Sequence, residues 1–259
     1  MVTDFSPYVK LPKLGKVDIF GVFCIIKGRY LEKERIFVGK LQFKKKTTDV
    51  ANFIAIALAL EVLSGFLLPS VYLGGQITLV SSLPILLIAF RHGKKTGLIS
   101  AGIFALAQLI LDVPMLVEYY EDRTFLPGKE FLQILLLVIL DYGIPYTALG
   151  LGGIFRRKVH PRTKAFPLGC LLAMGIRSVS HLACRWAAFG HLASYYFSSN
   201  KAPVWGKQLA QGLTQETMAP VFAAVCTGIY MLPELALTVI AAWALSHERR
   251  LVCRIRNYK

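Results

Sequence analysis

Charge is scarce in this sequence, and acid is scarcer than base. Of 259 residues 17% are charged, and 15 acids face 30 lysines and arginines; a soluble domain carries about 25% charged residues. The five cysteines, Cys24, Cys170, Cys184, Cys226 and Cys253, show no metal-ligand spacing and are read as reduced packing residues. No G-x-x-x-x-G-K-[ST] loop is present, since Gly93-Lys94 lacks a glycine five positions earlier. Gly150, Gly152 and Gly153 precede Arg156 with no strand before them, and close helix packing accounts for them better than a nucleotide loop. No H-E-x-x-H occurs, and His181 has no histidine partner one turn on. These gaps speak against an ATPase of its own and against a metalloenzyme, and no cofactor, metal or catalytic residue is expected. The first 46 residues are too polar and basic to supply a signal-peptide core, and their apolar run Ile19–Ile26 is too short to span a bilayer.

What the sequence does have is length of apolar chain. Hydrophobic residues make up 55%, gathered into stretches that suit hydrocarbon: Val50–Leu68, Val71–Phe90, Gly97–Val117, Phe131–Phe155, Ala165–Phe189 and Gly212–Leu245. The last is too long for one straight crossing and contains Pro220 and Pro233. The expected fold is an all-α integral membrane protein, a bundle of six transmembrane helices. A net charge of +15 would suit nucleic acid, but its distribution points to lipid and no nucleic acid is expected. Lysine and arginine number 11 up to Asp49, three in Arg91–Lys95, five in Arg156–Lys164 and five after Leu245, against two in Glu118–Glu130 and two in Gly190–Lys207. Twenty-four against four puts both termini in the cytoplasm by the positive-inside rule, which needs an even number of crossings. Residues 1–48 are then a basic cytoplasmic extension, 49–247 the transmembrane domain and 248–259 a basic cytoplasmic tail of a multi-pass protein of the cytoplasmic membrane.

Ionisable groups within spans cost roughly 2.5–3.5 kcal/mol at a helix centre by insertion scales, so each needs a reason. Asp141 lies ten residues from the outer end of the fourth span, about 15 Å deep at 1.5 Å per residue. His181 and Arg185 fall in the outer half of the fifth span, Glu61 in that of the first, and Asp112 near the outer end of the third. Gln211, Gln215 and Glu216 open the sixth. With Arg177 as a floor at mid-depth, these groups describe a cup open to the outside. Arg177, His181 and Arg185 recur every four residues along one helix face, with Trp186 beside it and Trp205 in the outer loop. Aromatic rings near a carboxylate suit a flat cationic ligand. Asp141 is either that ligand's contact or a structural partner of Arg177 or Arg185.

The segment SLPILLIAFRHG (Ser82–Gly93), the run LDYGIPYTALGLGGIFRR (Leu140–Arg157), and Arg177 with His181 resemble the ThiT (YuaJ) family, the thiamine-specific substrate-binding subunits of energy-coupling factor transporters. The similarity spans roughly Asp49 to Arg250. It implies an outward-opening pocket for thiamine and partners that supply energy, namely a transmembrane coupling subunit and two ATP-binding subunits. The family's acid–tyrosine pair, which contacts the aminopyrimidine, matches Asp141 and Tyr142, and its histidine matches His181. A family tryptophan falls at Phe189, so stacking passes to Phe189 or to Trp186. A family tyrosine and asparagine fall near Ala210 and Gln215, with Gln211 beside them, and a family glycine is Arg185. The family's small-residue docking stripe matches Ala51, Ala55 and Ala59. The alternatives are a subunit of the same class for a phosphorylated thiamine or another vitamin, with Arg185 and Arg177 reading the phosphate, and an intramembrane enzyme.

Overall fold

The computed structural model describes residues 46–247 apart from 69, 72, 74, 79, 160 and 161. The run Ile19–Ile26, Cys24 and Cys253 lie outside the described residues. The chain divides into two compact units, Met1–Thr47 and Thr48–Lys259, and the description below is of the second, with the short lead-in of its first helix.

That helix, α1 (Lys46–Leu67), is 22 residues long, about 33 Å at 1.5 Å per residue, enough to cross a hydrocarbon core. A two-residue antiparallel ladder follows, pairing Ser70–Val71 with Gly75–Gln76. Then come α2 (Ser82–His92) and α3 (Lys94–Leu111), turned at Gly93 with φ +88°. Next is α4 (Val113–Glu121). The composite α5 (Glu130–Gly153) is π-helical over Val138–Gly143 and 3₁₀ over Leu149–Gly153. α6 (Arg162–Phe189) leads through a single 3₁₀ turn into α7 (Ala193–Ser198), followed by α8 (Val204–Ala210) and α9 (Gln215–His247).

Five of these helices are long and apolar enough to span a bilayer, and α2 is a shorter apolar helix. The second expected span, Val71–Phe90, is therefore corrected: only its second half is helical. Pro84 is the reason. It sits in the first turn of α2, where a missing N–H costs nothing. A helix continued backwards would put that ring against the carbonyl of residue 80. The third expected span is also cut short. α3 ends at Leu111, because Pro114 in the first turn of α4 cannot donate to Ile110. Pro145 acts more gently. It withholds a donor from Asp141, and the chain answers with the π turn; Thr147 Oγ1 donates to Gly143 O at 2.6 Å and Ser180 Oγ to Leu140 O at 2.6 Å.

At the basic end the helices meet backbone to backbone. A Cβ on Gly153 would lie 2.1 Å from Ala89 O, one on Gly169 2.1 Å from Gly152 O, and one on Gly150 2.7 Å from Leu98 Cα. The three glycines of the fourth span are thus packing residues. Phe90 and Phe166 meet there at 4.9 Å, above a core that includes Ile85, Leu86, Leu149 and Met174. α6 and α9 share the most extensive packing in the bundle. Cys170, Cys184 and Cys226 are free and buried. Ile99, Ile103, Leu106 and Ile110 of α3, and Leu232, Ile240 and Trp243 of α9, are exposed, as suits a surface solvated by acyl chains.

Candidate functional site

The π turn of α5 widens the helix where Asp141 and Tyr142 sit, and both side chains are buried toward α6 and α3. Asp141 Oδ1 meets His181 Nδ1 at 2.6 Å and Oδ2 accepts from Arg185 Nη1 at 3.1 Å. Arg177 Nε donates to His181 Nε2 at 3.3 Å. A guanidinium only donates, so His181 Nε2 holds the lone pair and Nδ1 carries the proton given to Asp141. The imidazole is a neutral bridge between acid and base.

Arg177, 3% exposed, donates from Nη1 to Glu234 Oε1 at 2.7 Å and to Ser82 Oγ, and lies over the Tyr146 ring at 4.8 Å. Ser82 Oγ in turn donates to Glu234 Oε1 at 2.9 Å. Arg185 lies over Phe189 at 5.6 Å and gives Nη2 to the carbonyl of Leu73 at 2.8 Å, a residue held at φ +59°. Across the bundle, Tyr142 OH donates to Asp112 Oδ2 at 3.0 Å and Ser81 Oγ donates to Glu61 Oε2.

These groups enclose a cavity of about 370 Å³ whose wall includes Glu61, Gln76, Gln108, Asp112, Asp141, Tyr142, Arg177, His181, Arg185 and Tyr230. It is of the size that holds a small organic molecule. A second, wider hollow of about 1080 Å³, lined by Tyr119, Asp122, Arg123, Tyr195 and Lys201 among others, shares Met115 with it. Burial pushes the Tyr119 phenol up, so it faces that hollow uncharged.

Of the residues singled out from sequence, the structure brings Asp141, Tyr142, His181 and Arg185 together in one wall. Glu61, Asp112 and Arg177 join them. Phe189 is fully buried behind Arg185, in an aromatic group with Tyr119 and Phe125. Trp186 and Trp205 are 56% and 51% exposed and do not line the cavity. Gln211 and Glu216 are exposed, Gln211 between α8 and α9, and neither reaches the wall. Gln215 opens α9, and its side chain lies outside the described residues. Ala51, Ala55 and Ala59 are exposed along α1. Arg185 finds its acid in Asp141.

Sequence reasoning missed Glu234, Gln108, Tyr146 and Tyr230. The signal for Glu234 was present: it is a carboxylate in an apolar helix, judged by the same cost that singled out Asp141. Gln108 and Tyr146 each lie one turn from a flagged residue, Asp112 and Tyr142.

Three comparisons bear on this geometry. The family model described as thiamine transporter protein (Thia_YuaJ) matches residues 47–121, which carry Glu61, Gln108 and Asp112. The thiamine transporter ThiT of Bacillus subtilis (strain 168) is 28% identical over 178 residues, 67% of this chain and 82% of that protein. A solved structure of ThiT from Listeria monocytogenes shares the fold at a TM-score of 0.50 and 15% identity, covering 82% of this chain and 98% of that one.

Proposed function

We propose that this multi-pass membrane protein, which is similar to the ThiT (YuaJ) thiamine transporter proteins, captures thiamine in the 370 Å³ cavity as the substrate-binding subunit of an energy-coupling factor importer. The observation that carries the reading is a polar cavity inside an otherwise apolar bundle, walled by Asp141, Tyr142 and His181, the residues that the sequence resemblance matches to the family's ligand contacts. A carboxylate and phenol hydroxyls bind an aminopyrimidine through hydrogen bonds, and aromatic faces with acids attract a thiazolium.

A phosphate ester fits less well. Arg177 is committed to Glu234 and Ser82, and both Nη atoms of Arg185 to Asp141 and the Leu73 carbonyl. An intramembrane hydrolase would need a free base near a nucleophile; His181 has each nitrogen engaged, one by Asp141 and one by Arg177. Binding rather than turnover is what the site supports.

The charge asymmetry opens the cavity to the outside, and the sequence holds no nucleotide loop, so energy comes from partners. The exposed alanines of α1, Ala51, Ala55 and Ala59, give a coupling subunit a surface of close approach.

The test is direct. Purified protein in detergent should bind thiamine saturably by isothermal titration calorimetry, and mass spectrometry of freshly isolated protein should find thiamine bound. Absence of heat and of co-purified vitamin from folded protein would refute the reading.

A further inference from the structure

The charges around the cavity are not equally free. Asp141 is bracketed by His181 and Arg185, and Arg177 is neutralised by Glu234. Two acids remain. Glu61 accepts from the Ser81 hydroxyl and Asp112 from the Tyr142 hydroxyl, and neither hydroxyl brings a charge of its own to the carboxyl group. Both line the same cavity, Glu61 from α1 and Asp112 from the end of α3.

A second observation points to an occupant of the cavity. Gln108, one turn before Asp112, is 2% exposed and its Nε2 has no partner; Thr78 Oγ1 and Tyr230 OH, on residues 1% and 3% exposed, are unpaired too, and all three residues line the cavity. Unpaired donors and acceptors on a cavity wall are groups that a ligand entering the cavity can pair. Gly65, a turn after Glu61, makes room as well: a Cβ there would press on Gln76 Nε2 at 3.2 Å.

We propose that Glu61 and Asp112, with Gln108 beside them, form the subsite that takes the ligand's positive charge, and that Arg185 moves this role away from Asp141. Arg185 fills the space between the Asp141 carboxylate and the Phe189 ring, which is the socket an organic cation would otherwise take. Asp141 keeps hydrogen-bonding capacity for a neutral heterocycle, while Glu61 and Asp112 meet hydroxyl donors rather than a guanidinium. This assignment rests on the thiamine reading and adds a specificity that the reading does not require.

The experiment compares thiamine with 3-deazathiamine, its analogue with a neutral ring in place of the thiazolium, by calorimetry. Wild type should favour thiamine by about tenfold or more, the scale of one charge-assisted contact. Glu61→Gln with Asp112→Asn should abolish that preference, thiamine losing at least about tenfold more affinity than the neutral analogue, whereas Glu61→Asp and Asp112→Glu should retain it. Thiamine should also slow carbodiimide modification of Glu61 and Asp112 in the wild-type protein, a readout that needs no variant to fold. Equal affinity of wild type for the two compounds, a preference that survives in the double variant, or carbodiimide rates indifferent to thiamine would each overturn the assignment while leaving the thiamine reading standing. A wild type that binds neither compound overturns both.

Discussion

Glu234 and Arg177 meet where neither has water to fall back on. Their attraction offsets a desolvation cost that neither could bear alone, so the pair is worth little over an apolar substitute, but half of it is very costly. Glu234→Ala should therefore lower stability by about 3–5 kcal/mol, seen as a large drop in the melting midpoint of the detergent-solubilised protein. Replacing both partners, Arg177→Met with Glu234→Leu, should recover most of the loss; equal damage from the single and double changes would show that the pair is not coupled. The rule of costly charges made Asp141, His181 and Arg185 legible in the sequence, and it pointed equally to Glu234. What sequence does not carry is pairing. Arg185 is four residues from His181 and forty-four from Asp141, and only the packed bundle brings it to the acid. The tryptophans were read from chemistry alone, and Trp186 turns outward because its helix face looks away from the cavity.

Among the elements, the prolines decided most of what the sequence obscured. Apolar composition over 71–90 is continuous, but Pro84 limits the helix to its second half, and the ladder before it reads as hydrophobic chain. The π turn was equally hidden, since hydropathy does not register one residue of extra winding. The glycines at the basic end were clearer, and they give a test with a sign. Gly153→Ala would set a methyl 2.1 Å from Ala89 O and must push two helices apart, so it should destabilise the fold by about 1–3 kcal/mol. Gly102→Ala meets nothing within 4 Å and should stabilise α3 by about 0.5–1 kcal/mol through helix propensity. Thermal melts of the two variants should move in opposite directions. A neutral Gly153→Ala would mean that the contact is slack.

For the whole molecule, the sequence conveyed fold class, and its end-to-end polarity is an expectation. Five long helices and one of half length stand where six full spans were expected, because an apolar stretch records affinity for lipid and not the shape of the chain within it. The direction of insertion rests on the twenty-four to four imbalance of basic residues. Cysteine substituted for Ser199 in intact cells should accordingly react with an impermeant maleimide, and cysteine substituted for Thr163 should react only after permeabilisation. The reverse pattern would place the cavity's mouth on the cytoplasmic face.

The glycine contacts at the basic end have a mechanical consequence. Where Gly153 meets Ala89 and Gly169 meets Gly152, no side chain lies between the backbones, so there is nothing to compress and no rotamer to change. Farther along, α5 and α6 face each other through side chains instead, Asp141 against His181 and Arg185, beside the cavity that these residues line. The spacing of α5 from α6 and α2 is therefore set at the glycine crossings by the backbone alone, and whatever thickens a glycine there is felt by the residues of α5 and α6 that line the cavity.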